Sequence, residues 1–270
     1  MNEYCTTQVV YAIPATDQNV IELIDADWTE AFGVALLLLK GGKALIRING
    51  SDIDIGDVQH HFSQIRWINE TTFLVAEMGA EENEDNIFIV RTDGTLLHSF
   101  FGGESIADIV VGEEGIWISY SDEGIFGDGI SSEGLVLFDL TGKAQFKYHT
   151  DLPESDPIDD CYAMSKGEAA DVWIFSYTEF RLTQVDSLKR AFKSVEIPER
   201  LHGAHALHVQ GKNVFFYGPY EAKYAMYSFN METQSIQLLG NFFGEFRGLG
   251  TAEKRAFLSV SNQELVLYQV

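Results

Sequence analysis

Two stretches, Arg91-Thr-Asp-Gly-Thr-Leu-Leu-His-Ser-Phe100 and Asp139-Leu-Thr-Gly-Lys-Ala-Gln-Phe-Lys-Tyr148, share one form. Each is a strand, a tight polar turn ending in glycine, and a second strand. Asn49-Gly-Ser-Asp-Ile-Asp-Ile, Asp186-Ser-Leu-Lys-Arg and Asn230-Met-Glu-Thr-Gln-Ser-Ile hold the same place further along the chain. The turns begin near residues 49, 92, 140, 186 and 230, a period of about 45 residues.

Upstream of each turn lies a second hairpin, as in Ile109-Val-Val-Gly-Glu-Glu-Gly-Ile-Trp-Ile. The remaining apolar residues come in short runs rich in Val, Ile, Phe, Tyr and Trp, such as Val172-Trp-Ile-Phe-Ser-Tyr, and convincing helical periodicity is hard to find. Four strands at this period make a β-propeller blade. The count gives six blades, at about 18–59, 60–103, 104–152, 158–199, 201–241 and 243–270. The last contains three strands, and the unassigned run Thr6–Ile13 supplies a fourth, closing the ring and removing an exposed edge. The expectation is an all-β, six-bladed β-propeller with antiparallel four-stranded blades, one domain over residues 1–270. A β-sandwich is the competing fold, and it has no need of so sustained a period.

The WD40 Gly-His and Trp-Asp pairs are absent, as are a YWTD tetrapeptide and the Ser-x-Asp-x-Gly-x-x-Trp box of the sialidases. Ser119-Tyr-Ser-Asp-Glu-Gly-Ile-Phe-Gly-Asp-Gly, with Gly134-Leu-Val-Leu-Phe-Asp-Leu-Thr-Gly after it, resembles uncharacterised bacterial propeller proteins. That resemblance implies the fold and no activity. In outline alone the chain is similar to the six-bladed lactonase and gluconolactonase group.

Composition narrows the partners. The 270 residues carry 41 acids against 18 bases, a formal charge of −23. Nucleic acids and anionic membranes draw affinity from Lys and Arg, so neither is an expected partner. Cys5 and Cys161 stand far apart and read as buried thiols rather than a disulfide framework. The first residues lack the basic and apolar segments of a signal peptide, which leads to the expectation of a cytoplasmic protein.

In an antiparallel blade whose strands run A to D from axis to rim, the B–C loops and D–A links open on one face. The A–B and C–D turns open on the other. The first face is expected to carry every long loop: 77–86, 122–129 and 151–160. Four chemistries attach to it. Asp122, Asp128, Asp159 and Asp160 could hold Ca²⁺, which takes six to eight oxygens, although their spacing is not an EF-hand and a solvated acidic loop explains them as well. His202 and His205, in Arg200-Leu-His-Gly-Ala-His, with His60 and His61, could bind a softer metal or act as a base; backbone-bonded histidines are the plainer account. Arg247 and Arg66 could recognise a carboxylate-bearing ligand or pair with the chain's own acids. Phe126, Tyr217, Tyr220, Tyr224, Phe242, Phe243 and Phe246 form a sugar- or protein-binding surface or pack between blades.

No Gly-x-Ser-x-Gly, P-loop or HExxH motif occurs. The expected function is therefore a scaffold binding a protein or small molecule on its acidic face. The alternative is a metal-dependent hydrolase of lactonase type, with Asp159 or Asp160 and His205 flanking a metal at the channel mouth. A structural module inside a larger assembly is a third reading.

Overall fold

The polar turns that set the repeat are built by their own side chains. Asp139 Oδ1 accepts the backbone N–H groups of Thr141 (2.8 Å) and Lys143 (3.1 Å). Asn230 Oδ1 accepts those of Glu232 (3.1 Å) and Thr233 (2.9 Å), and Asp93 Oδ1 that of Thr95 (2.9 Å). Asp and Asn suit these positions because their short side chains mimic a backbone turn. Gly142 is required at its turn: φ is +79°, and a Cβ there would stand 2.4 Å from the Phe100 ring of the preceding blade.

The computed structural model describes residues 5–56, 61–79, 84–168, 170–250, 253 and 256–270. Among the described residues there are six four-stranded antiparallel sheets. After β1 (Thr6–Ala12), blade one contains β2 (Ile21–Thr29), β3 (Gly33–Lys40), β4 (Lys43–Ile48) and β5 (Ser51–Ile53). Blade two contains β6 (Gln64–Asn69), β7 (Thr72–Ala76), β8 (Ile87–Arg91) and β9 (Leu96–Phe100). Blade three contains β10 (Ile106–Val111), β11 (Ile116–Tyr120), β12 (Leu135–Phe138) and β13 (Ala144–Lys147). Blade four contains β14 (Asp160–Lys166), β15 (Asp171–Tyr177), β16 (Arg181–Asp186) and β17 (Ala191–Glu196). Blade five contains β18 (Ala206–Gln210), β19 (Asn213–Tyr217), β20 (Ala225–Asn230) and β21 (Ile236–Asn241). Blade six contains β22 (Glu245–Gly248), β23 (Phe257–Val260) and β24 (Glu264–Gln269), with β1 paired antiparallel to β24 as its outer strand. The six-bladed propeller and its N-terminal closure are as the repeat implies.

Each blade is packed on both faces, and this explains the apolar runs. Every residue of β7 and β12 is buried, whereas the outer strand β9 is exposed over Leu96–His98. The core lies between blades: Phe100 meets Phe138 across blades two and three (5.4 Å between centroids), and Phe175 meets Phe216 across blades four and five (5.2 Å). Each such fully buried side chain is worth roughly 1.5–3 kcal/mol over leaving it exposed.

Two single-turn helices, α1 (Asp122–Ile125) and α2 (Tyr148–Asp151), lie in the blade-three loop and at the start of the link that follows. The B–C loops and D–A links do hold most of the long connections. One exception in length corrects the expectation: in blade six residues 249–256 separate β22 from β23, so an A–B connection is also long, and 251, 252, 254 and 255 within it lie outside the described residues. Part of the blade-two loop, 80–83, lies outside the described residues.

Candidate functional site

The inner strands β2, β6, β10, β14, β18 and β22 surround the axis, each touching the next. Charged residues on them close the channel part-way along. Arg66, on β6, is buried and donates from Nη1 to Asp25 Oδ2 (2.5 Å), from Nη2 to Asp108 Oδ1 (2.9 Å) and from Nε to the Ile109 carbonyl (2.8 Å). Burial works against its charge, but the carboxylates of Asp25, Asp108 and Asp27 outweigh that and hold the guanidinium above its ordinary value. Arg247, on β22, donates from Nη2 to Asp27 Oδ1 (3.0 Å) and the Ala26 carbonyl (2.6 Å). Asp25 and Asp27 also accept the backbone N–H groups of Ile65 and Trp67, each at 2.8 Å, latching blade one to blade two. The two arginines therefore sit in ion pairs of the chain's own. They line two cavities, each about 320 Å³, one on either side of this charged partition.

The cavity on the loop-rich side is also lined by Gln64, Tyr162, His205 and Glu245. His205 enters it with Nδ1 3.2 Å from the Gly218 carbonyl and its ring edge-on to Tyr217. His202 points elsewhere: its Nε2 lies 2.9 Å from the Ile197 carbonyl and its ring stacks on Phe180 at 4.4 Å. The Gly203 turn, φ +79°, is present, but it separates the two imidazoles instead of converging them. His61 donates its backbone N–H to Glu77, and His60 lies outside the described residues. His208, not singled out from the sequence, is the buried histidine of the inner ring, with Nδ1 2.8 Å from the Leu249 carbonyl; burial lowers its pKa.

Of the four expected calcium ligands, the structure brings two together. Asp160, half-buried at the start of β14, accepts the Asp122 backbone N–H, and its pKa is raised by burial and then by the Asp122 charge. Asp159 turns to Thr178, whose Oγ1 donates to its Oδ2 (2.5 Å), and Asp128 is exposed further along the loop. Among the described residues no three His, Cys, Asp or Glu side chains stand close enough to hold a metal ion.

The aromatic candidates divide cleanly. Tyr217 and Phe246 are buried, their rings 4.0 Å apart, and Phe242 is half-buried against Tyr268; these pack between blades. The Tyr217 hydroxyl donates to the Phe242 carbonyl (2.8 Å). By contrast, Phe126, Tyr220, Tyr224 and Phe243 are 73, 60, 43 and 75% exposed, all in loops of the same face. Tyr177, at the end of β15 and 40% exposed, joins them.

Tyr220 is exposed yet fixed. A Cβ on Gly203 would lie 2.3 Å from its ring, so the ring rests directly on that glycine. Its backbone N–H donates to the His202 carbonyl (2.9 Å), its edge meets Phe180, and its hydroxyl bonds that of Tyr162. Tyr162 in turn stacks near Tyr177, centroids 6.2 Å apart with planes 12° off parallel. Further round, Tyr224 contacts Phe243 (4.7 Å) and carries the Lys223 ammonium 5.7 Å from its ring centroid. Tyr162, Tyr177 and Phe180 were missed in the sequence because they sit inside or beside ordinary apolar runs. Only the loop that Tyr177 and Phe180 bracket, Tyr177-Thr-Glu-Phe180, hinted at them.

No family model matches the chain, and no curated protein matches it. Solved structures do. A catalytically inactive virginiamycin B lyase from Staphylococcus aureus, solved with quinupristin, aligns over 98% of this chain and 99% of its own at 11% identity, TM-score 0.56. A Bacteroides fragilis protein named as exported aligns over 100% and 96% at 9% identity, TM-score 0.61. The extracellular domain of a B. thetaiotaomicron protein named as a one-component system aligns over 90% of this chain and 30% of that one at 10% identity, TM-score 0.53. The likeness is one of fold. Neighbours of this shape include a lyase, and two come from protein complexes, so the fold serves varied roles. These neighbours also correct the cytoplasmic expectation: one is named as exported and another as extracellular, which points away from the cytoplasm. The start of the sequence, on which that expectation rested, does not decide the compartment. Among the described residues no helix is long and apolar enough to cross a membrane.

Proposed function

We propose that the chain is a binding scaffold whose B–C loops and D–A links form the recognition surface. The observation that carries this reading is Tyr220, a mostly exposed aromatic held on three sides by Gly203, Phe180 and Tyr162. An exposed ring costs little to immobilise when the scaffold has already fixed it, and such rings are the usual anchors of protein interfaces. Tyr177, Tyr224 and Phe243 extend the same surface around blades four to six. Arg66 and Arg247, in contrast, are held in ion pairs with the chain's own acids, and His202 and His205 each set one ring nitrogen against a backbone carbonyl. Arg247 Nη1 is buried without a hydrogen-bond partner among the described residues. The reading rests on the exposed rings and not on these polar groups.

The test is selection from an unbiased phage-displayed peptide library on the wild-type protein and on the double variant Tyr177→Ser, Tyr220→Ser. The variant should melt within a few degrees of wild type, since both rings are substantially exposed. Peptides enriched on wild type and lost on the folded variant support the reading. Enrichment that is indifferent to the two substitutions, or none, overturns it.

A further inference from the structure

Resting on that binding reading, we infer that the rim between blades four and five takes an arginine-bearing segment of a basic protein partner. Two carboxylates flank the tyrosines there. Asp160 pairs in register with Tyr177 across β14 and β15, and the Asp159 backbone N–H donates to the Tyr177 carbonyl (3.1 Å). Tyr177 thus stands beside two carboxylates, and Tyr220 is joined to the same cluster through the Tyr162 hydroxyl and ring. Negative charge and exposed aromatic rings share one rim, the combination that attracts a cation over an aromatic ring. The chain already uses the same interaction twice on these blades. Lys223 lies over Tyr224, and the Arg200 guanidinium lies 5.0 Å from the Tyr227 centroid.

Charge decides among occupants. A second copy of this chain brings another −23, and a nucleic acid or anionic membrane is repelled for the same reason. A basic protein is attracted at long range and then read at short range. Arginine fits better than lysine because its planar, weakly hydrated guanidinium stacks on a ring while forking to a carboxylate.

The probes are ten-residue peptides of alternating glycine with arginine, lysine or glutamate, titrated calorimetrically at low and physiological salt. We expect the arginine peptide to bind, the lysine peptide to bind about three- to tenfold more weakly, and the glutamate peptide not to bind. Tyr220→Ala should weaken arginine-peptide binding by a similar factor, and Asp160→Asn, which keeps the shape of the side chain, should do so independently. Arginine binding unchanged by both substitutions would mean that overall charge alone draws the peptide, and would overturn the inference; so would no binding. The library selection separates the two claims. Rim-dependent binders without basic residues would sink the arginine assignment and leave the surface standing, whereas no rim-dependent binder removes both.

Discussion

The Tyr162 hydroxyl, on the inner strand of blade four, bonds the Tyr220 hydroxyl, on the loop of blade five, with the two rings 85° apart. One hydrogen bond therefore ties a channel-lining residue to a surface-exposed one across a blade boundary. Burial, and then the bond to Tyr220, holds the Tyr162 phenol protonated well above its ordinary pKa. Tyr162 therefore stays a neutral phenol at any physiological pH.

Tyr162→Phe should remove that bond while keeping the ring. The expected loss is about 1 kcal/mol, the usual net worth of a hydrogen bond. Urea unfolding would read it as a lower midpoint with an unchanged slope. A change in slope would show that the substitution alters more than the bond.

Arg66→Met should be far more costly, about 3–5 kcal/mol, because it leaves the Asp25 and Asp108 carboxylates facing each other without their cation. The companion Arg66→Met, Asp25→Asn, Asp108→Asn variant should recover much of the loss. Chemical unfolding of the set measures both. A single variant as stable as wild type would show that the channel partition is not built on this ion-pair network.

Asp160→Asn tests a pH dependence. Burial and Asp122 raise the Asp160 pKa, so its charged form is less favourable in the folded state than in the unfolded one. The sign follows from linkage: the favourable contribution is complete below the unfolded pKa, near 4, and is lost as pH rises through the raised folded value. The variant should therefore match or exceed wild-type stability at neutral pH, with the difference vanishing in acid. Melting temperatures from pH 3 to 8 would show it. A variant less stable at neutral pH would assign the charge a structural role.

Addition of Ca²⁺, Mg²⁺ or Zn²⁺ to chelated protein should leave the melting temperature unchanged, because of Asp122, Asp128, Asp159 and Asp160 only Asp122 and Asp160 come together, too few oxygens for a hard cation. An ion at a hundredfold its dissociation constant would add about 2.7 kcal/mol, and a selective upward shift of that size would restore the hydrolase alternative.

The propeller was legible because its determinants are local. Asp93, Asp139 and Asn230 cap their own turns, so turn chemistry and spacing are written within a few residues. The site was legible by face but less so by residue. Tyr220, Tyr224, Phe243 and Phe126 were singled out and prove exposed, yet Tyr217 and Phe246, equally aromatic and equally near the loops, are buried. What separates them is which blade surface lies opposite, a relation between distant parts of the chain. The Arg66 and Arg247 pairings have the same origin: Asp25, Asp27 and Asp108 are carboxylates inside apolar strands, a visible oddity whose partners only the closed ring supplies.

The central claim is that recognition occurs on the face bearing Tyr220. Amide hydrogen exchange of the protein with and without a library-selected peptide tests it most directly, since it reports on every loop at once. We expect slower exchange over 177–180, 202–205 and 218–224. Protection confined to the A–B and C–D turns, around 139–143, 186–190 and 230–235, would place the binding surface on the opposite face and contradict the account.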